Sequence, residues 1–161
     1  MARIPGSLFA LVVALAALAP ACDVAASTQE SETVIDASTQ ARDVAAQSTL
    51  RDALVAAKTL YTESSSYQGA GPTGLAATDP SLCVVGPQTP SVSSGARCES
   101  GNGASSVSVF AQGQVFAAAA RSAGGACFWI KDAAGSGTSY GTGDPCTGTA
   151  ALGAAAPSFP S

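Results

Sequence analysis

Across residues 23–67 the chain contains neither glycine nor proline. Nothing in that stretch loosens the backbone or removes a main-chain donor, and its apolar residues recur at helical spacing. Val34, Ala37, Ala41 and then Val44 or Ala45 step by threes and fours, as do Leu50, Leu54, Ala57 and Tyr61. Gln40, Arg42, Asp43, Gln47, Arg51, Asp52 and Lys58 take the other positions. Glu32 falls in the first turn, where a carboxylate meets the positive end of the helix dipole. The pattern predicts one helix from about Ser31 to about Thr62, ended by Ser64-Ser65-Ser66 and by the run from Gly69 to Pro72. That is far longer than the roughly 11–12 residues of an average globular helix. Its first half offers only a narrow alanine stripe, so packing falls to the larger residues between Leu50 and Tyr61, and the N-terminal end is expected to project beyond the domain.

After residue 72 the periodicity changes. Ser81–Val85 has the makings of a short strand, and 91–105, rich in serine and glycine, reads as loop. Val107 and Val109 alternate with Ser106, Ser108 and Phe110 at strand period. Gln112-Gly113 can turn the chain into a second strand over Gln114–Arg121. The turn at 122–125 leads to a third over Ala126–Lys131, where Phe128 and Trp129 face opposite sides. Gly135 to Gly143 reads as a further turn region around Tyr140, and the alanine, proline and serine residues after Gly148 as a frayed tail. A long helix followed by hairpins predicts an α+β fold, the helix packed on a small antiparallel β-sheet.

The N-terminus carries a different signal. Arg3, the apolar run Leu8–Leu18 and the small residues of Ala19-Pro20-Ala21 form the pattern of a cleaved secretory leader. The run is shorter than the roughly 20 apolar residues a membrane span needs. Cys22 directly follows the expected cut, where a thiol can take a lipid anchor; the preceding residues match a lipobox in part, with Ala19 standing where leucine is preferred. A lipidated and an ordinary secreted N-terminus are the two alternatives. The expected organisation is a signal over 1–21, a linker or lipid-anchored N-terminus over 22–30, one domain over 31–150 and a flexible tail over 151–161. The protein is then extracellular or held at the outer face of the membrane.

Export also frames the remaining cysteines. Cys83, Cys98, Cys127 and Cys146 form an even set, which in an oxidising compartment implies disulfides with three connectivities to choose from. Turn residues between Cys83 and Cys98, and again before Cys146, favour Cys83–Cys98 and Cys127–Cys146. Metal coordination fits poorly, for the chain has no histidine and no C-x-x-C pair. Asp132 and Asp144 share the Cys127–Cys146 loop, and a Ca²⁺ site there would need both carboxylates together.

Composition narrows the function classes. The formal charge is −4, from 7 basic and 11 acidic residues, without a basic patch for nucleic acid or anionic lipid. Without histidine, Ser-His and Cys-His catalysis is excluded. The acids are scattered along the helix and loops, so no catalytic residues, cofactor or metal are expected.

Residues 41–67, an alanine-rich amphipathic stretch with a Leu50-Arg51 pair that ends in Tyr61 and a Ser66-Tyr67 turn, resemble the later part of a type IV pilin's long helix. Cys127-Phe128-Trp129-Ile130-Lys131-Asp132, then Gly137-Thr138-Ser139-Tyr140-Gly141 and Cys146, are similar to the C-terminal strands of pilin-like proteins from high-GC Gram-positive bacteria. The resemblance spans roughly 35–150 and implies a pilin-like head that serves a structural or interaction role, with pilus or secretion-assembly proteins or an external surface as partners. The N-terminus departs from the family: after Gly6 comes Ser7-Leu8-Phe9-Ala10-Leu11 without the family's glutamate, and the apolar run is short. That implies a pilin-like ectodomain on an ordinary signal or lipid anchor. A small ligand-binding lipoprotein is the alternative.

Overall fold

The computed structural model describes the main chain of residues 24–93 and 106–160, and the side chains from Asp36 onward within them. The glycine- and proline-free segment forms one helix, α1, Val24–Ser64, which begins before the expected Ser31 and takes in most of the linker expected over 22–30, since that stretch has no residue to break a helix. It stops where Ser65 enters the left-handed region at φ 53° and its N–H donates to the Tyr61 carbonyl at 2.7 Å, a single closing bond of the kind that often ends helices.

One stripe of α1 is buried: Ala46, Leu50, Ala53, Leu54, Ala56 and Ala57. The alanines let the helix axis come close to the sheet, and the two leucines fill the space between. They meet Val107, Val109, Phe116, Ala118, Ala120, Phe128 and Ile130 in one core. From Asp36 to Ala45 the side chains are exposed, apart from the half-buried Thr39 and Asp43. The division of labour expected between the two halves is observed.

A 3-10 turn, Tyr67–Gly69, and a short helix, α2, Pro72–Thr78, follow. Neither is expected from periodicity, because a segment this short has no repeat to detect. Pro72 at the first position and buried Leu75 are what fix α2. Asp79 then accepts from the Ser81 N–H (3.0 Å) and hydroxyl (2.6 Å), turning the chain into the sheet.

The sheet has five strands in sequence order: β1 Cys83–Val85, β2 Ser106–Gln112, β3 Val115–Arg121, β4 Cys127–Ala133 and β5 Gly137–Thr142. β2 to β5 form an antiparallel meander, with Ala118 opposite Ile130 and Ile130 opposite Tyr140. β1, however, runs parallel to β2, Val84 opposite Val107, so the sheet is mixed and not wholly antiparallel. The connection from Val85 to Ser106 is long enough for the crossover that parallel pairing requires. Of the turn region expected at Gly135–Gly143, a turn forms at its start, over 134–136, while Gly137–Thr142 is β5. Ser139 and Gly141 read as turn material, yet the ladder to β4 holds them in the strand, which Gly137 enters at φ 79°.

Both faces of the sheet are covered. Ser106 and Ser108 are as buried as Val107 and Val109, because the chain crosses the face opposite α1 twice. Ser108 Oγ donates to the Gly86 carbonyl at 3.0 Å and accepts from the Gly148 N–H at 2.8 Å. Gly148 lies so close that a Cβ would stand 2.5 Å from the Val109 carbonyl carbon.

The expected frayed tail is a second correction. Residues Ala150–Gly153 form a 3-10 turn, Ala151 and Ala154 are buried, and Ala156 bridges to Tyr140. Phe159 returns to the core edge, its ring 4.6 Å from Tyr140 and 5.9 Å from Phe128. Small residues that give no helical or strand period are the ones that can lie flat along a strand edge.

Candidate functional site

Two polar clusters and a cleft stand out against this alanine-rich core. The first joins helix to sheet. Asp132 alternates with Phe128 and Ile130 and so points from β4 toward α1, where it is buried. It accepts from the Tyr67 hydroxyl at 2.5 Å, from the Thr138 hydroxyl at 2.6 Å and from Lys58 Nζ at 3.0 Å. Burial alone would raise the pKa of Asp132; the hydrogen bonds from Thr138, Tyr67 and Lys58 and the Lys58 charge outweigh it and hold the carboxyl below its ordinary range. Tyr67 moves the other way: burial, then its bond to Asp132, then the nearby charge keep its hydroxyl protonated well above the usual tyrosine range. The Tyr67 ring continues the contact, 4.6 Å from Tyr61 and 5.8 Å from Phe116. Every donor and acceptor in this cluster has a partner, and a carboxylate so held is neither a free base nor a nucleophile. The cluster locks α1 onto β4 and β5.

The second cluster lies at the other end of β4. Cys127 and Cys146 are joined by a disulfide, with Cα atoms 5.6 Å apart, as expected from the turn residues between them. Beside it, Arg121 at the end of β3 donates to Asp144 and to the Gly125 carbonyl, each at 2.8 Å. Asp43 from α1 approaches the same turn. These residues, with Phe128, Thr142 and Pro160, line an open cleft of about 530 Å³. One oxygen of Asp43 is buried without a hydrogen-bond partner among the described residues. Asp132 and Asp144 therefore occupy opposite ends of β4 and separate environments, so the shared Ca²⁺ site is not formed. Among the described residues no group of three or more acids or cysteines is placed to hold a metal.

On the far face of the sheet Trp129 lies under the returning chain. A Cβ on Gly143 would stand 2.5 Å from its ring, and its indole nitrogen is buried without a hydrogen-bond partner among the described residues. Trp129 is thus half-buried, with the returning chain packed over its ring.

Of the cysteines singled out in the sequence, Cys83 is disulfide-bonded; Cys98, with which it is expected to pair, and Cys22 lie outside the described residues. So do the leader and the lipidation position. Among the described residues no helix is long and apolar enough to cross a membrane. The Lys58–Tyr67–Asp132–Thr138 cluster and the Arg121–Asp144 pair escape sequence reasoning, because their members are separated by as many as 80 positions and no spacing rule relates them. The third strand expected over Ala126–Lys131 stops one residue short of Asp132; carried to Ala133 as observed, it puts an acid on the inward face of Phe128 and Ile130, the one signal that could have found the first cluster.

No protein-family model, curated protein sequence or solved structure matches this chain.

Proposed function

We propose that the protein is an exported, envelope-associated, pilin-like structural or interaction module without catalytic activity, serving as an accessory to a pilus or secretion assembly. The observation that carries this reading is the single long helix Val24–Ser64, gripped by the sheet through its second half and exposed from Asp36 to Ala45. That arrangement makes α1 a stalk and the sheet a head. The Cys127–Cys146 disulfide and the bonded Cys83 support export, because such bonds persist in oxidising compartments.

The test is co-sedimentation of the tagged full-length protein with sheared surface fibres of its own host. Recovery in the fibre pellet, lost when the fibre's motor gene is deleted, is the expected result; recovery only in the supernatant overturns it. The purified stalk and head together, residues 23–161, should stay monomeric at high concentration. Its helix start carries Ser27, Thr28, Gln29, Glu30 and Glu32, which offer little apolar area to drive bundling at roughly 25 cal/mol per Å². Filaments of this fragment in electron micrographs would refute the stalk role.

A second reading, a small ligand-binding lipoprotein, rests on the cleft at Arg121, Asp144 and Asp43. It predicts a melting-temperature rise with a specific ligand that Arg121→Ala abolishes, and membrane release on Cys22→Ala.

A further inference from the structure

The cleft beside the Cys127–Cys146 disulfide is lined by two carboxylates, and among the described residues only one of them has a counter-charge. Asp144 takes the Arg121 guanidinium at 2.8 Å, and the other arm of that guanidinium is held by the Gly125 carbonyl. Asp43 lines the same cleft with no cation in ion-pair reach among the described residues. Its two oxygens stand differently. Oδ1 is sealed beneath the turn at 122–125, where a Cβ on Gly124 would lie 3.5 Å from it, and it meets no donor among the described residues. Oδ2 has no hydrogen-bond partner among them either, and it is open. A carboxylate with one oxygen out of water and no donor carries a desolvation cost that the fold leaves uncompensated.

Two cavities meet at this side chain. The cleft of about 530 Å³ and a second of about 300 Å³ share Asp43, Phe128 and Pro160, and Val44 and Phe159 add apolar wall to the second. An apolar stem therefore has surfaces to lie against beside a single open carboxylate oxygen. An unpaired carboxylate in such surroundings selects a cation. Guanidinium groups bind carboxylates best as a fork across both oxygens, and here one oxygen is closed off. An ammonium is a compact point charge that needs only one. Among the described residues no group of three or more acids or cysteines is placed to hold a metal ion instead.

We propose that Asp43 Oδ2 is the binding point for an alkylammonium group, free or at the end of a lysine side chain, whose stem lies against Phe128, Pro160 and Val44. Arg121 is a positioning residue for this site: through the Gly125 carbonyl and Asp144 it holds the turn that covers Oδ1. The inference rests on the ligand-binding reading of the cleft and names the ligand class.

The probes are n-butylamine and the peptide acetyl-Gly-Lys-Gly-amide, titrated into the full chain and followed through the NMR shifts of the Gly124, Gly125 and Thr142 amides. Both should move these amides, and Asp43→Asn should weaken the binding about tenfold or more, the loss expected of a bond to a charged group. 1-Butanol and the acetyllysine form of the peptide, which keep the stem and lack the charge, should leave the amides unmoved. Methylguanidinium should bind more weakly than n-butylamine. Asp52→Asn, at an exposed acid of the same helix, should leave binding unchanged. Without probe, Asp43→Asn should melt at or above the wild-type temperature, since no bond is lost; a merely structural aspartate would lower it. If Asp43→Asn does not fold, the comparison of n-butylamine, 1-butanol and methylguanidinium on wild type decides alone. Butanol binding as well as the amine, tighter methylguanidinium binding, equal losses in Asp43→Asn and Asp52→Asn, or a lowered melting temperature in Asp43→Asn would overturn the proposal. Binding of n-butylamine without the peptide assigns a free amine, and binding of both assigns a lysine side chain. A neutral or anionic ligand that moves these amides and is lost in Arg121→Ala, with no response to n-butylamine, overturns the ammonium site and keeps the cleft as a ligand site.

Discussion

Asp132 illustrates how one buried residue couples the packing of this protein to pH. Its folded-state pKa is depressed, so its contribution is present at neutral pH and disappears as pH falls from about 3.8, its ordinary value, through the lower folded value. Tyr67 has the opposite sign: its raised pKa leaves its contribution intact below pH 10.0, its ordinary value, and removes it as pH climbs beyond. Denaturant midpoints measured against pH should therefore fall at both extremes. Asp132→Asn should flatten the acid limb and cost about 1–3 kcal/mol at pH 7, since Tyr67 and Lys58 lose a charged acceptor. An unchanged acid limb in that variant would show that other carboxylates govern it. Gly148 makes a second residue-scale case. With the β2 backbone 2.5 Å from where its Cβ would stand, Gly148→Ala must push two main-chain segments apart and break the bond to Ser108. A loss of about 1–3 kcal/mol is expected, read as a lowered melting temperature, whereas Gly113→Ala meets no atom within 4 Å and is opposed only by its backbone angle.

At the scale of elements, the grip of the sheet on α1 is concentrated in a few side chains. Leu50 is fully buried and faces a core otherwise rich in alanine, so few neighbours can collapse into the space it would vacate. Leu50→Ala should cost about 2–5 kcal/mol, measured by urea unfolding with an unchanged slope. Val44→Ala, at an exposed position, should cost under about 0.5 kcal/mol. Equal effects would mean that the exposed half of the helix also packs. The helix was legible because a missing glycine or proline is a local property and a long run repeats the helical period many times. β5 and α2 were not, because Gly137-Thr138-Ser139-Tyr140-Gly141-Thr142 and Pro72-Thr73-Gly74-Leu75 are too short to show a period. Their conformations come from neighbours, the β4 ladder in one case and the Leu75 contact in the other.

For the molecule as a whole, the Cys127–Cys146 bond closes the loop that holds β4 and β5, 19 positions apart in sequence. Replacing both cysteines with alanine should lower stability by about 3 kcal/mol in the chain-entropy view, visible as a drop in the melting temperature of the oxidised protein that a reductant does not deepen through this bond. A variant as stable as wild type would show that the surrounding contacts, and not the crosslink, order this end of the sheet.

The sequence by itself determined the long helix and its end, favoured the pairing of Cys127 with Cys146, and placed four of the five strands with near-correct limits and the opposed faces of Phe128 and Trp129. Each of these depends on residues near one another in the chain or on strict alternation. Tertiary structure alone decided that β1 joins in parallel, that the serine face of β2 is buried, and that the tail folds back along β5 with Phe159 as its anchor. It alone brought Lys58, Tyr67, Asp132 and Thr138 to one point. Small residues such as alanine, glycine and serine carry almost no local preference for strand edge, loop or tail, so their place is set by which backbone comes close enough to bond them.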